Sequence, residues 1–326
     1  MGVILSAKEV EIQSREVFGQ FGKRWQEFAK INVQLPHEDG NALNNVGLGK
    51  FLVCAAMGES LEENIDVLRK YRYRYDIVTC DKGFGILMEQ GITPDYVMIC
   101  DTNIPYRWLE PYVEETANIK LIATPYANIE WTNKWKGKRY YYISKDAIQT
   151  EQIFGEIFSL DPRLIPASSN VSNAMLVYFL SVDEKNQPVN WGGYEKYYLV
   201  GYDYGWRPTG KYYAFNDPKP KRYYMNQRTM LDLNGDPFLS SENLVFSAKW
   251  MYSYLTTFNM PVMNCSRRGI LDYTRLSVLE DELKKINPNK SLGKELKRLH
   301  TVAEGHKINF DTSLNDFMKF KSKLYN

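Results

Sequence analysis

The chemistry this sequence offers lies in three aspartates and one glycine loop, each placed where an apolar run ends. Asp81 follows Ile77-Val78-Thr79-Cys80, Asp101 follows Tyr96-Val97-Met98-Ile99-Cys100, and Asp203 follows Tyr197 to Gly201 and Tyr202. Gly58-Glu59-Ser60 follows the run Phe51 to Ala56 and Met57. Glycine lets a backbone approach an anion closely, and the start of a helix offers unpaired N–H groups and the positive end of a dipole. Two carboxylates ending neighbouring parallel strands suit a divalent cation or a ribose or sugar hydroxyl. The plainer alternatives are a structural turn for the loop and a helix cap or solvated strand end for each aspartate. A fourth feature, Lys219-Pro220-Lys221-Arg222-Tyr223-Tyr224 with Arg228, interleaves cations and aromatics. Such a tract packs on nucleic acid or on a nucleotide's phosphates and base, or is a solvated loop with its tyrosines turned inward.

Positioning these groups requires strands that end at one edge of a sheet. From Lys50 onward, apolar runs of four to seven residues alternate with amphipathic stretches, the pattern of βα units around a largely parallel sheet. Strands are expected at 51–56, 76–80, 96–100, 120–123, 139–144, 197–201 and 262–264. Helices are expected where Leu61, Ile65 and Leu68 recur up to Lys70, around Phe84, Leu87 and Met88, after Pro105, at 147–158, after Ser169 or Asn170, and at 242–258. Residues 1–48 read as an appended segment with a helix at 9–30. The α/β domain spans 49–275 with an irregular lid or hairpin inserted at 204–240. A charged helical tail, 276–326, ends in an amphipathic stretch at 314–324.

Composition narrows the function classes. The 326 residues carry 41 Lys and Arg against 39 Asp and Glu, a net charge of +2 that gives no reason to expect nucleic acid. No run approaches the roughly 20 apolar residues that span a bilayer, and the apolar opening Val3-Ile4-Leu5 is too short for a secretory core, so a cytoplasmic protein is expected. Cys54, Cys80, Cys100 and Cys265 form no CxxC pair and sit on apolar runs, so reduced thiols without zinc are expected. The three histidines, His37, His300 and His306, lie outside the strand-rich region, which leaves a Ser/His/Asp or Cys/His machine hard to assemble.

In order along the chain, the motifs resemble those of the family that contains the archaeal-type 6-hydroxymethylpterin diphosphokinases and the motility accessory factors of bacterial flagellin glycosylation. The matching segments are Gly58-Glu59-Ser60-Leu61, Ile77 to Lys82 with Leu87, Gly91-Ile92-Thr93-Pro94-Asp95-Tyr96-Val97 with Asp101, Ser169-Asn170-Val171-Ser172, Tyr198 to Asp203, and Asn264-Cys265-Ser266 with Gly269. The resemblance implies a Rossmann-like sheet with helices on both faces, similar to sialyltransferase-like glycosyltransferases, with a nucleotide-bearing donor at its carboxyl edge. By motif position, Gly58 and Ser60 would contact donor phosphate, and Asp81 and Asp101 would hold nucleotide or metal. Ser169, Asn170, Ser172, Asn264, Ser266 and Asp203 would line the same cleft. The family usually has proline where Glu59 stands, and the pterin enzymes tend to have a second aspartate where Asn103 stands.

The resemblance implies a transferase with a nucleotide-activated donor and a glycan, pterin or protein acceptor. A nucleotide-sugar-dependent glycosyltransferase is the leading expectation. Its catalytic carboxylate would come from Asp101, Asp81 or Asp203, and Arg222 and Arg228 would close over the donor. Two alternatives stand beside it: diphosphate transfer from ATP to a pterin, with Mg2+ at Asp101, and a binding or assembly protein that kept the fold without the reaction.

Overall fold

The computed structural model describes residues 22–144, 162–166, 168, 170–183, 185, 187–208, 210–215, 227–273 and 275–286. The expected helix at 147–158, Ser169, the tract at 219–224 and the stretch at 314–324 lie outside the described residues. The chain divides into two compact units, Met1–Lys285 and Ile286–Asn326, and the description concerns the first.

Eight strands form one parallel sheet: β1 (Phe51–Ala55), β2 (Asp76–Cys80), β3 (Tyr96–Ile99), β4 (Lys120–Ala123), β5 (Arg139–Ser144), β6 (Arg163–Ile165), β9 (Lys196–Val200) and β12 (Val262–Asn264). Their order is β12-β9-β1-β2-β3-β4-β5-β6. The apolar runs are continuous because both faces are covered. Val97 and Ile99 point to the face that packs Phe84 of helix α3 (Asp81–Glu89) and Trp131 of α4 (Ile129–Lys134). Tyr96, of opposite parity, meets Phe179 of α5 (Val171–Phe179) at 5.1 Å between ring centroids. Successive strand residues face opposite sides, so helices lie on both faces. The sheet is the expected α/β, Rossmann-like arrangement.

The chain runs outward from β1 to β6 and then returns to add β9 and β12 on the other side of β1. Strand order therefore reverses between β1 and β9, the place where open α/β sheets leave a crevice at their carboxyl edge. Helix α2 (Ser60–Lys70) follows β1 and buries Leu61, Ile65 and Leu68, as the spacing requires.

Two differences from the sequence expectations stand out, one after Pro105 and one in the N-terminal segment. After Pro105 the chain makes three short 3-10 turns, Tyr106–Trp108, Glu110–Tyr112 and Glu114–Asn118, rather than a helix. Pro111 removes an N–H that a continuous helix would need. The described part of the insert contains a hairpin, β10 (Gln227–Leu231) with β11 (Pro237–Ser241), before helix α6 (Glu242–Thr257). The N-terminal segment, whose described part includes helix α1 over residues 22–32, is sewn into the domain: the Asn32 amide donates to the carbonyls of Pro125 and Ala127 at 2.7 and 2.8 Å, and Tyr141 donates to the Asn32 carbonyl at 2.8 Å. The strands β7 (Ser181–Val182) and β8 (Pro188–Val189) form a small separate hairpin. Among the described residues no helix is long and apolar enough to cross a membrane.

Candidate functional site

Two corners of the carboxyl edge differ in how their polar groups are used. The first is the switch point between β1 and β9. The Gly58 N–H donates to the Gly201 carbonyl at 2.9 Å, tying the two loops together. Beyond this tie, the Ser60 N–H donates to Asp203 Oδ2 at 2.8 Å, and the Ser60 hydroxyl donates to Asp203 Oδ1. Glu59, which precedes α2, makes no side-chain cap bond. The Asp203 carboxylate therefore occupies the anion-favouring end of α2. A Cβ on Gly58 would lie 2.5 Å from Asp203 Cγ, so only glycine fits beneath this carboxylate.

Behind Asp203 the clasp continues through the chain after β12. The Ile270 N–H donates to the Asp203 carbonyl at 3.1 Å, the Tyr202 N–H to Ser266 Oγ at 2.8 Å, and the Ser266 N–H to Asn264 Oδ1 at 3.0 Å. Ser60, Asp203, Asn264 and Ser266 are at most 1% exposed. Burial pushes the Asp203 carboxyl up to about 7 despite the two Ser60 bonds that favour its charged form, and the charges of Glu59 and Glu63 push the same way.

The same corner shows how Glu59, standing where the family usually has proline, is accommodated. Its carboxylate is held by the Arg207 guanidinium, whose Nε lies 3.0 Å from Oε2. Lys211 pairs with Glu62 at 3.1 Å and Arg268 with Glu63 at 2.5 Å. The Ala214 N–H donates to the Met57 carbonyl at 3.0 Å. The start of the insert is thus strapped over the loop after β1, and the acidic first turn of α2 is neutralised by the protein's own cations. Gly58 and Ser60, expected as phosphate donors, are engaged with internal partners.

The second corner lies at the ends of β2 and β3. Asp81 opens α3 and is half-buried. Desolvation raises its carboxyl to about 6; the Lys82 N–H and the Cys80 thiol oppose this, and the charge of Asp101 adds to it. Asp101 is exposed, and its Oδ1 accepts the Asn103 N–H at 3.1 Å. The loop is fixed from below by Asn128, whose N–H donates to the Asp101 carbonyl at 2.9 Å and whose amide donates to the Thr102 and Ile104 carbonyls at 3.0 and 3.2 Å. The carboxamide oxygen of Asn103 accepts Arg24 at 2.6 Å. Among the described residues no three His, Cys, Asp or Glu side chains gather as a metal-ligand group.

Beside these carboxylates stands Lys82. Its Nζ lies 3.7 Å from the Tyr213 ring centroid and 5.5 Å from that of Trp108. Burial lowers its ammonium to about 8, Cys80 and Asp81 counteract this, and the Arg107 guanidinium contributes to the lowering. Lys82 sits within a motif segment, but its surroundings come from residues far along the chain. Arg107, Trp108, Tyr213 and Arg24 carry no motif signal, and sequence reasoning missed all four.

The remaining expected residues are placed as follows. Asn170 caps α5, accepting the Asn173 N–H at 2.8 Å, and the Ser172 carbonyl accepts the Tyr202 hydroxyl at 2.5 Å. Arg228 lies on β10 in an exposed pair with Glu242 at 2.7 Å. Arg222 and Ser169 lie outside the described residues.

The chain matches the family described as 6-hydroxymethylpterin diphosphokinase MptE-like over residues 29–208. Its structure is similar to that of the MAf glycosyltransferase from Magnetospirillum magneticum AMB-1, with a TM-score of 0.61 and 17% sequence identity. The similarity covers 86% of this chain and 42% of that one, so the chain spans about two fifths of the longer protein. At this identity the likeness establishes a common fold. No curated protein sequence matches the chain.

Proposed function

This chain belongs to the MptE-like family, and from that premise we propose that it is a transferase acting on a nucleotide-activated donor, in the first place a nucleotide sugar. The observation that carries the proposal is the half-buried Lys82 ammonium, which stands with the exposed Arg107 beside two strand-end carboxylates and whose described contacts are ring faces rather than an ion pair. Departure of a nucleoside diphosphate develops negative charge, and preorganised cations in a partly dry site are the groups that stabilise it. On this reading Lys82 and Arg107 hold the donor diphosphate, and Asp81 or Asp101 takes the proton from an acceptor hydroxyl. Asp203, expected among the catalytic carboxylates, instead holds the switch point closed.

The Asp81 and Asp101 pair also supports a second reading. Magnesium is commonly held by one or two carboxylates together with substrate phosphates, where it neutralises their charge, and these two aspartates fit that donor set. The diphosphokinase alternative depends on such an ion. It is the weaker reading because the position of its second aspartate is filled by Asn103, whose oxygen already accepts Arg24. The reaction and its donor are tested by supplying nucleotide sugars and ATP, with and without Mg2+, and following product. Slow hydrolysis of a nucleotide sugar that falls at least tenfold in Lys82→Met/Arg107→Met supports the first reading. Cleavage of ATP to AMP with a hydroxymethylpterin, nucleotide sugars being left intact, reverses the order of the two.

A further inference from the structure

We infer that Trp108 and Tyr213 form a slot for a planar aromatic heterocycle, so that this site takes ligands in which such a ring is joined to phosphate. The inference rests on the reading of Lys82 and Arg107 as phosphate-binding groups and adds which part of the ligand lies beside them. Both rings turn a face toward one point, the Lys82 ammonium, at 3.7 and 5.5 Å from their centroids. The centroids are therefore no more than about 9 Å apart. Offset-stacked rings have centroids about 4.5 to 7 Å apart, so at the upper end of the separation between the two walls a ring entering midway lies within stacking range of both faces. Lys82 is the movable occupant of that point. A lysine stem rotates freely enough for the ammonium to leave the ring faces and meet a phosphate attached to the entering ring.

The walls are held in place by other elements. Trp108 ends a 3-10 turn packed against α3, where a Cβ on Gly85 would come 3.2 Å from the Trp108 carbonyl. On the other side, Tyr213 is followed by Ala214 and Phe215, whose N–H groups donate to the Met57 carbonyl at 3.0 Å and to Glu62 Oε1 at 2.5 Å. The straps that close the switch point thus also set one wall of the slot. Both aromatic residues are half-buried, so each ring keeps surface for a ligand to cover. Stacking of this kind recognises a ring by its face and tolerates different bases. Nucleobases and pterins share that chemistry.

The test is calorimetric titration of the full chain with UDP, GDP, ADP, 6-hydroxymethylpterin and inorganic pyrophosphate. The wild-type protein is compared with Trp108→Leu, Tyr213→Leu and Tyr213→Phe, each checked for an unchanged thermal midpoint. The slot predicts that at least one nucleoside diphosphate, or the pterin, binds tenfold or more tighter than pyrophosphate. Each leucine variant then loses about tenfold for the ring-bearing ligand, pyrophosphate binding is unchanged, and Tyr213→Phe restores affinity. Preference for the pterin over every nucleotide supports the slot and identifies its source. Should nucleotides bind with an affinity that neither leucine variant alters, or alters equally for pyrophosphate, the slot falls while the transferase reading stands. Absence of binding by every compound overturns both. If Trp108→Leu does not fold, the Tyr213 pair decides the matter alone.

Discussion

The loops after β1 and β2 leave the same edge of the sheet on neighbouring strands, and each leads into a helix, yet their charges are settled in opposite ways. At the first, Asp203 fills the start of α2, Arg207 takes Glu59, and Lys211 and Arg268 take the next two glutamates. At the second, Asp81, Lys82, Asp101 and Arg107 lie near one another without that closure. The topological rule places ligands at the switch point. In this chain the switch point has been filled from within, and the groups able to meet a ligand lie one strand away. The position of a crevice in the fold and the availability of its polar groups are separate questions, and only the second bears on chemistry.

The comparison breaks first at Asp203. Replacing it by alanine strands a buried N–H and a buried hydroxyl of Ser60, each worth roughly 1 to 3 kcal/mol, and removes the cap of α2. We expect Asp203→Ala to lose about 3 kcal/mol in urea unfolding with nucleotide affinity unchanged in the folded protein. Stability within about 0.5 kcal/mol of wild type would show that the clasp is incidental.

Gly58→Ala tests the same closure from the other side of the carboxylate. The new methyl group would meet Asp203 Cγ at 2.5 Å and the Gly201 carbonyl at 2.6 Å, and overpacking of this kind costs about 1 to 3 kcal/mol. A thermal midpoint equal to that of wild type would contradict the packing described for this loop.

The effect of pH sharpens the contrast. Asp203 is held near 7 when folded, above the ordinary carboxylate value of about 4. The folded state therefore keeps a proton that the unfolded state releases, and the stabilising contribution is complete below the unfolded value. It declines as pH rises from about 4 through about 7 and is flat beyond. Asp203→Asn preserves an acceptor for the Ser60 N–H and removes the titration. Its stability, relative to wild type measured at each pH, should rise across that interval; a difference independent of pH would remove Asp203 as the titrating group.

The smallest effect is expected at Arg228. Its pair with Glu242 is exposed on both sides, and such pairs contribute about 0 to 1 kcal/mol. Arg228→Ala should leave stability and nucleotide binding close to wild type. A tenfold loss of affinity would return the hairpin to the site.

The strands were legible because burial on both faces makes them continuous apolar runs, and all seven expected strands were placed to within a residue. The 3-10 turns after Pro105 were not, since two prolines and a mixed pattern leave helix and turn equally readable until Asn128 is seen fixing the loop. The strand-end placement of Asp81 and Asp101 was recognisable from the sequence alone. The role of Asp203 was hidden because a strand-end carboxylate that meets ligand and one that caps a neighbouring helix look the same in sequence. Lys82 was hidden for a different reason: what distinguishes it is the convergence of Trp108 and Tyr213, and only tertiary structure brings those rings together.

The central claim is that ligand meets the protein at the ends of β2 and β3 and not at the filled switch point. It is tested most directly by titrating one nucleoside diphosphate into two variants, Lys82→Met/Arg107→Met and Asp203→Asn. A hydrogen bond to a charged group contributes about 1.5 to 3 kcal/mol, so the double variant should bind at least tenfold more weakly, while Asp203→Asn stays within about twofold of wild type. Undiminished binding by the double variant together with a tenfold loss in a folded Asp203→Asn would contradict the account and return the ligand to the switch point.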